Sequence, residues 1–433
     1  MSRSVATFAV LASLAVSALG AAGCPSDPTF RLGDTVDDAE VAPDSTSAPD
    51  SGDDANDAND ASDVNTCGAT CGPAMQCLDG SCRCTSPDCD EPILASGVGR
   101  VRLAIGFAPA PSVAYVRPGA APDMNVATWS TCCGWSSDLA IAQAAETFDA
   151  IIDPLGHLQL LGLGAEGVAV IQRHSDDGWA RRDTDVAPCH RGTLQLTPRG
   201  DGLVMGCVDD LGALRLFDYD TFGDGYHARG TPALDVGAAA TTAPGDRVPL
   251  VLDGDGRVHV AFARDGAPSG RQIVVADETV GGWESAPVEL VPEPLIGLVP
   301  VAMALDRDQR LHLVTVRDDA GGGRTLLHDR RDATWSYEEP LQGAALGIHV
   351  LALTRGAGTA MALLYDDGAV LHWWSFSHAL DPGAADHATL DLPDGVASAA
   401  MVVGDGDAFV AFTTATGALR LWRPSAHESA PAR

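Results

Sequence analysis

A chain of 433 residues with 59 acidic and 27 basic residues carries a net charge of −32. Such a field repels nucleic acid and anionic lipid headgroups, so neither is expected as a partner. All the basic residues are Arg, and a 45% hydrophobic content is enough for a sizeable core.

Taken in order, the chain opens with Arg3 and an uncharged apolar run from Val5 to Leu19. That is the length of a signal-peptide core and is short for a membrane span. Ala21-Ala22-Gly23-Cys24 follows. The tetrapeptide resembles a bacterial lipobox, with Ala21 standing where Leu is commoner. The resemblance implies removal of residues 1–23 and lipidation of Cys24, with palmitate among the chains. Cleavage after Gly23 without lipidation, giving a secreted protein, is the alternative. No later segment is apolar for long enough to span a bilayer, so contact with the membrane is expected through the lipid alone.

Residues 24–66 read as a disordered tether. From Pro25 to Thr66 there are twelve acidic residues against one Arg (Arg31), and almost nothing that can pack. Such a segment cannot offset its chain entropy. A calcium-binding acidic tract is the sharper alternative, but the ligands have no ordered turn on which to converge.

Residues 67–92 form a separate unit, with Cys67, Cys71, Cys77, Cys82, Cys84 and Cys89 in a stretch too short for a core of its own. Setting Cys24 aside leaves ten cysteines, an even number that suits disulfides in an oxidising compartment. The spacing resembles a truncated EGF-like knot, which implies the pairs Cys67–Cys77, Cys71–Cys82 and Cys84–Cys89. Six cysteines allow fifteen pairings, and spacing alone does not choose. Zinc is the rival reading, disfavoured by export and by the lack of histidine in the segment.

Residues 97–424 carry an internal repeat. Its clearest copy runs VPLVLD, GDG, RVHVAFA, RQIVVADE, then Trp283 opening WESAPVEL. The next copy reads VPVAMALD, RDQ, RLHLVTV, RTLLHDRR, then Trp335. Weaker copies flank these, and Trp129, Trp179, Tyr226, Trp283 and Trp335 recur at about fifty-residue intervals. Four short strands per repeat with Gly/Asp turns predict an all-β fold, a single β-propeller of six or seven four-stranded blades, seven being preferred. Incomplete repeats at both ends predict that strands from both termini share the closing blade. Ile141–Thr147 could form a turn of helix, and residues 425–433 read as a disordered tail.

The segments DGDGRVHVAF (253–262) and GGWESAPV (281–288) resemble blade motifs of exported bacterial propellers of the sialidase-like or Asp-box type. Ser175-Asp176-Asp177-Gly178-Trp179 resembles a shortened Asp-box turn. The whole layout is similar to envelope proteins of high-GC bacteria such as myxobacteria. The resemblance implies the fold; that fold hosts lectins, hydrolases, lyases and scaffolds.

Candidate chemistry is sparse. His259 and His312 share one repeat position and could line the channel or bond a turn Asp. Asp253/Asp255 and Asp306/Asp308 could offer carboxylates to calcium, but hairpin turns demand the same residues. The recurring Trp residues read as packing. Trp373 and Trp374 point to opposite faces of one strand, and the one left exposed is the ligand-contact candidate. The propeller cysteines Cys132, Cys133, Cys189 and Cys207 could pair as Cys133–Cys189, or as Cys189–Cys207 with a vicinal bridge. No catalytic triad, phosphate loop or dinucleotide fingerprint appears. The sequence therefore points to a monomeric, cofactor-free binding or scaffold propeller. It would be held by lipid at the bacterial cell envelope, at the outer membrane, and would recognise a glycan or an envelope or extracellular protein. The alternative is a sialidase-like hydrolase or lyase acting on extracellular polysaccharide.

Overall fold

The computed structural model describes residues 75–78, 81–84, 93–104, 111–119, 122–130, 134–141, 148–153, 156–163, 169–175, 178–183, 189, 191–220, 226–237, 247–266, 270–288, 301–318, 324–332, 334–344, 351–355, 360–376, 386–403 and 408–424. Cys24, the tether, Cys67, Cys71, Cys89, Cys132, Cys133, most of the Ile141–Thr147 segment and the tail lie outside them.

Every described element is a strand. β1 (Met75–Leu78) and β2 (Ser81–Cys84) form a hairpin whose register sets Cys77 opposite Cys82. β3 (Ile93–Ala95) stands apart from its neighbours in sequence. Blade 1 follows as β4 (Val101–Ala104), β5 (Ser112–Arg117), β6 (Asp123–Ser130) and β7 (Gly134–Ile141). Blade 2 is β8 (Phe148–Ile152), β9 (Leu158–Leu163), β10 (Ala169–Ser175) and β11 (Gly178–Asp183). Blade 3 is β12 (Arg191–Leu196), β13 (Gly202–Val208) and β14 (Ala213–Asp220), with a split outer strand, β15 (Tyr226–Ala228) and β16 (Leu234–Asp235). Blade 4 is β17 (Leu250–Leu252), β18 (Val258–Gly266), β19 (Gly270–Thr279) and β20 (Gly282–Pro287). Blade 5 is β21 (Val301–Leu305), β22 (Leu311–Asp318), β23 (Arg324–Arg331) and β24 (Trp335–Ala344). Blade 6 is β25 (Leu351–Arg355), β26 (Met361–Asp366), β27 (Val370–Phe376) and β28 (Asp386–Asp391). The last is β29 (Val396–Val403), β30 (Ala408–Thr414) and β31 (Leu419–Trp422), completed by β3.

The described residues thus form seven antiparallel sheets besides the small hairpin. Their first strands touch in a closed cycle: β4, β8, β12, β17, β21, β25, β29 and back to β4. Each sheet packs on the next through its own buried apolar cluster, the last of which joins Phe409 and Leu421 of the closing blade to Val101 and Tyr115 of blade 1. A fully buried Val or Leu contributes about 1.5–3 kcal/mol, so these interfaces dominate stability. Both faces of a blade are interior: β13 and β26 are buried at every position.

That geometry corrects one expectation. Trp373 and Trp374 do point to opposite faces, but both are 7% exposed. Trp373 packs toward the closing blade, and Trp374 packs toward blade 5, edge-on to Tyr365. On a solvent-facing sheet, alternation would expose one of them; between two neighbouring blades it buries both.

Closure is by strand exchange. Ile93 sits opposite Arg420 and Ala95 opposite Leu419, so the N-terminal strand completes the C-terminal sheet. The Val98 amide donates to the Gly417 carbonyl at 2.9 Å, and Thr413 Oγ1 donates to the Gly99 carbonyl at 2.9 Å. The propeller therefore begins at Ile93 rather than at Gly97.

One turn recurs. Asp153, Asp209, Asp253 and Asp306 each head a tight turn, and Oδ1 accepts the amide four residues on, at 2.8–2.9 Å. The residue before that amide takes positive φ: Gly156 at 82°, Gly212 at 82°, Gly256 at 78° and Gln309 at 64°. Gly adopts that conformation without steric cost. Thr414 heads the same turn, with its hydroxyl accepting from the Ala418 amide.

Candidate functional site at the mouth of the ring

The inner strands all run the same way, which gives the ring two faces. One carries the hairpin turns that follow each inner strand. The other, the inlet face, carries the segments that lead into each inner strand.

On the turn face the charged side chains bind one another. The residue six beyond a turn-heading Asp reaches back to its carboxylate: Gln159 Nε2 donates to Asp153 Oδ2 at 3.0 Å, His259 Nε2 lies 3.5 Å from Asp253 Oδ2, and His312 Nε2 lies 3.4 Å from Asp306 Oδ2. This is where the structure places both sequence-picked histidines. His259 Nδ1 also meets Asp277 Oδ1 at 2.6 Å, and Arg331 of blade 5 grips Asp277 with two bonds of 2.8 Å. Burial works to raise the Asp277 carboxyl, but the bonds from His259 and Arg331 outweigh it and hold it at about 2. The neighbouring Glu278 points the other way. It accepts from Thr231 and lies 3.2 Å from Arg229 Nε, both of blade 3. Acids on one strand thus tie blade 4 to both neighbours.

His312 is fully buried, with Nδ1 3.0 Å from His328 Nε2. Burial first, and the neighbouring His328 second, push its pKa down to about 4, so it is neutral at ordinary pH. Trp283 Nε1 donates to the Pro232 carbonyl at 2.7 Å, and the Arg331 guanidinium lies over the Trp335 ring. Trp283 and Trp335 pack against their blade interfaces, as Trp179 and Tyr226 do. Among the described residues no group of three metal-ligating side chains converges, and Asp253 and Asp306 are occupied by their own turns.

The inlet face holds a different arrangement. Asp149, at the start of β8, is 1% exposed. Its Oδ1 accepts the Ala150 amide at 2.9 Å. Its Oδ2 accepts the Thr193 hydroxyl at 3.1 Å, the Leu194 amide at 2.8 Å and Arg247 Nη2 at 2.7 Å. Thr193 and Leu194 lie on β12, and Arg247 immediately precedes β17. One buried carboxylate therefore joins the inner edges of blades 2, 3 and 4. Such a charge is tolerated because four donors satisfy it.

Two features stiffen this corner. Cys189, just before β12, is bonded to Cys207 on β13, one of the two pairings open from the sequence. Gly192 lies so close to blade 2 that a Cβ there would come within 2.4 Å of Leu161 Cδ2. Arg247 itself is 45% exposed, and among the described residues its partner is Asp149, through Nη2. The corner thus holds one cationic fork in fixed orientation beside the ring mouth. Sequence reading missed it.

No protein-family model matches the chain, and no curated protein matches it. Solved structures that share its fold include the β-propeller domain of the Trilobed protease from Pyrococcus furiosus, with an open velcro topology (11% identity over 78% of this chain and 99% of that one, TM-score 0.49). They include the fucose-recognising lectin of Aleuria aurantia, described as six-bladed (14% identity, 63% and 88%, TM-score 0.42), whereas the described residues here form seven sheets. They include a prolyl endopeptidase, of which this chain spans about half (14% identity, 77% and 49%, TM-score 0.44). That the chain is a β-propeller rests on its own sheets and the closed cycle of their first strands.

Proposed function

We propose that this chain is a non-catalytic binding propeller that presents the inlet face of a rigid ring to a glycan or protein partner. The observation that carries the reading is how the polar groups are used. On the turn face Asp153, Asp253, Asp306, Asp277, His259 and His312 are committed to turns and blade contacts, whereas the Asp149 corner holds a half-exposed Arg247 in place. Rigid scaffolds with few convergent polar groups serve recognition well. We further propose that the chain is a monomer lipidated on Cys24 and held at the bacterial outer membrane, the acidic tether supplying reach.

A glycan array and a protein pull-down with the full mature chain test the binding reading. Ligand capture without turnover is the expected result. Release of sugar products would overturn it in favour of the hydrolase or lyase alternative. Membrane fractionation of the parent and of Cys24→Ser tests the anchor: the parent is expected in the membrane and the variant in the soluble fraction.

A further inference from the structure

We propose that the Asp149–Arg247 corner is an anion-recognition site, and that it takes the single terminal carboxylate of a sparsely charged oligosaccharide presented end-on to the ring mouth. This rests on the binding reading above.

The guanidinium is a planar fork suited to a carboxylate. Here the entropy of placing it is already spent, because Nη2 is fixed on Asp149, and Asp149 is fixed by two backbone amides and a hydroxyl from two blades. A group held before the ligand arrives loses little freedom on binding. Among the described residues Asp149 takes Arg247 through Nη2, which leaves the remainder of the guanidinium to meet a ligand.

The rest of the molecule decides which anion fits. With a net charge of −32, the chain's long-range field opposes any polymer of dense negative charge. A ligand with one carboxylate at its tip pays that repulsion once and places its only charge on the local cation. The described side chains that build the corner are polar: Asp149, Thr193 and Arg247. That favours a hydroxyl-rich ligand, a glycan ending in a uronic acid, over a peptide C-terminus.

Titration calorimetry with the full mature chain tests this. The probes are an oligosaccharide ending in one glucuronic acid, the same oligosaccharide with its carboxyl reduced, polygalacturonate, and a short peptide with a free C-terminus. The first is expected to bind at least tenfold more tightly than the second, with no binding of polygalacturonate. Arg247→Gln is expected to abolish the tenfold preference. Arg247→Lys, which keeps the charge without the fork, is expected to retain part of it, and thermal unfolding of both variants reports whether the ring is intact. Equal binding of acidic and reduced probes, unchanged in Arg247→Gln, would overturn this site while leaving the glycan-binding reading standing. Arg247-dependent binding of the peptide alone would overturn the choice of ligand. Failure to bind any probe, with no capture on the array or in the pull-down, would end both.

Discussion

Asp329 on β23 is fully buried between blades 4 and 5, and neither carboxylate oxygen has a hydrogen-bond partner. Burial pushes its pKa up to about 7. The unfolded chain would ionise it near the ordinary value of 3.8, about three pH units lower. At about 1.4 kcal/mol per unit, folding at pH 8 forfeits about 4 kcal/mol on this residue. The sign follows from the raised folded value: the penalty is absent below the unfolded pKa and grows as pH rises through the folded one. The register suggests the substitution. Asp329 pairs with Leu313, and Ala276 pairs with Val260 at the same place in the preceding blade. Asp329→Ala removes the penalty at a packing cost of about 1–2 kcal/mol. The variant is expected to be more stable than the parent by about 2–3 kcal/mol at pH 8, with the gain shrinking to about zero near pH 4.5. Urea unfolding of the oxidised chain at both pH values measures this. A variant less stable than its parent at pH 8, or a difference that does not change with pH, would refute the reasoning.

His312 has the opposite slope. Its folded pKa is depressed to about 4, so stability is lost as pH falls from about 6.5 toward 4. His312→Gln, which copies Gln159 at the equivalent turn position, is expected to flatten that acid limb in the same titration. Arg331→Ala removes the two-bond grip on Asp277 across blades 4 and 5; because the pair is partly exposed, a loss of about 1 kcal/mol is expected by denaturant unfolding. Carbon NMR of the Asp277 carboxyl in that variant should show its pKa rising from about 2 toward the ordinary range. Gly192→Ala drives a methyl into the buried Leu161 and is expected to cost about 1–3 kcal/mol by the same unfolding assay.

The strands were legible because hairpins announce themselves locally. The aromatic near the start of four outer strands (Trp179, Tyr226, Trp283 and Trp335), the turn-heading Asp and the Gly of positive φ lie within one repeat, so periodicity exposes them; in blade 1 the expected Trp129 instead lies on β6, opposite Trp135 of the outer strand β7. The terminal half-repeats also announced β3, since a sheet with three C-terminal strands needs a fourth from elsewhere. What failed was the inference from alternation to exposure at Trp373 and Trp374, because alternation in a propeller separates two interiors. The Asp149 corner was invisible for another reason. Its partners are 44, 45 and 98 residues away, in two other repeats, and nothing in the spacing of Thr193 or Arg247 marks them. Asp329 did leave a signal: an acid stands where the preceding copy has Ala276. Only a residue-by-residue alignment of repeats would have caught it.

The ring is sealed by an N-terminal strand, β3. Hydrogen exchange on the full chain measures this directly at Leu419–Trp422, where β31 receives β3. Replacing Ile93–Ala95 by Gly-Ser-Gly should raise exchange there and lower the unfolding midpoint. Unchanged protection at those amides, together with an unchanged midpoint, would contradict the closure and the architecture built on it.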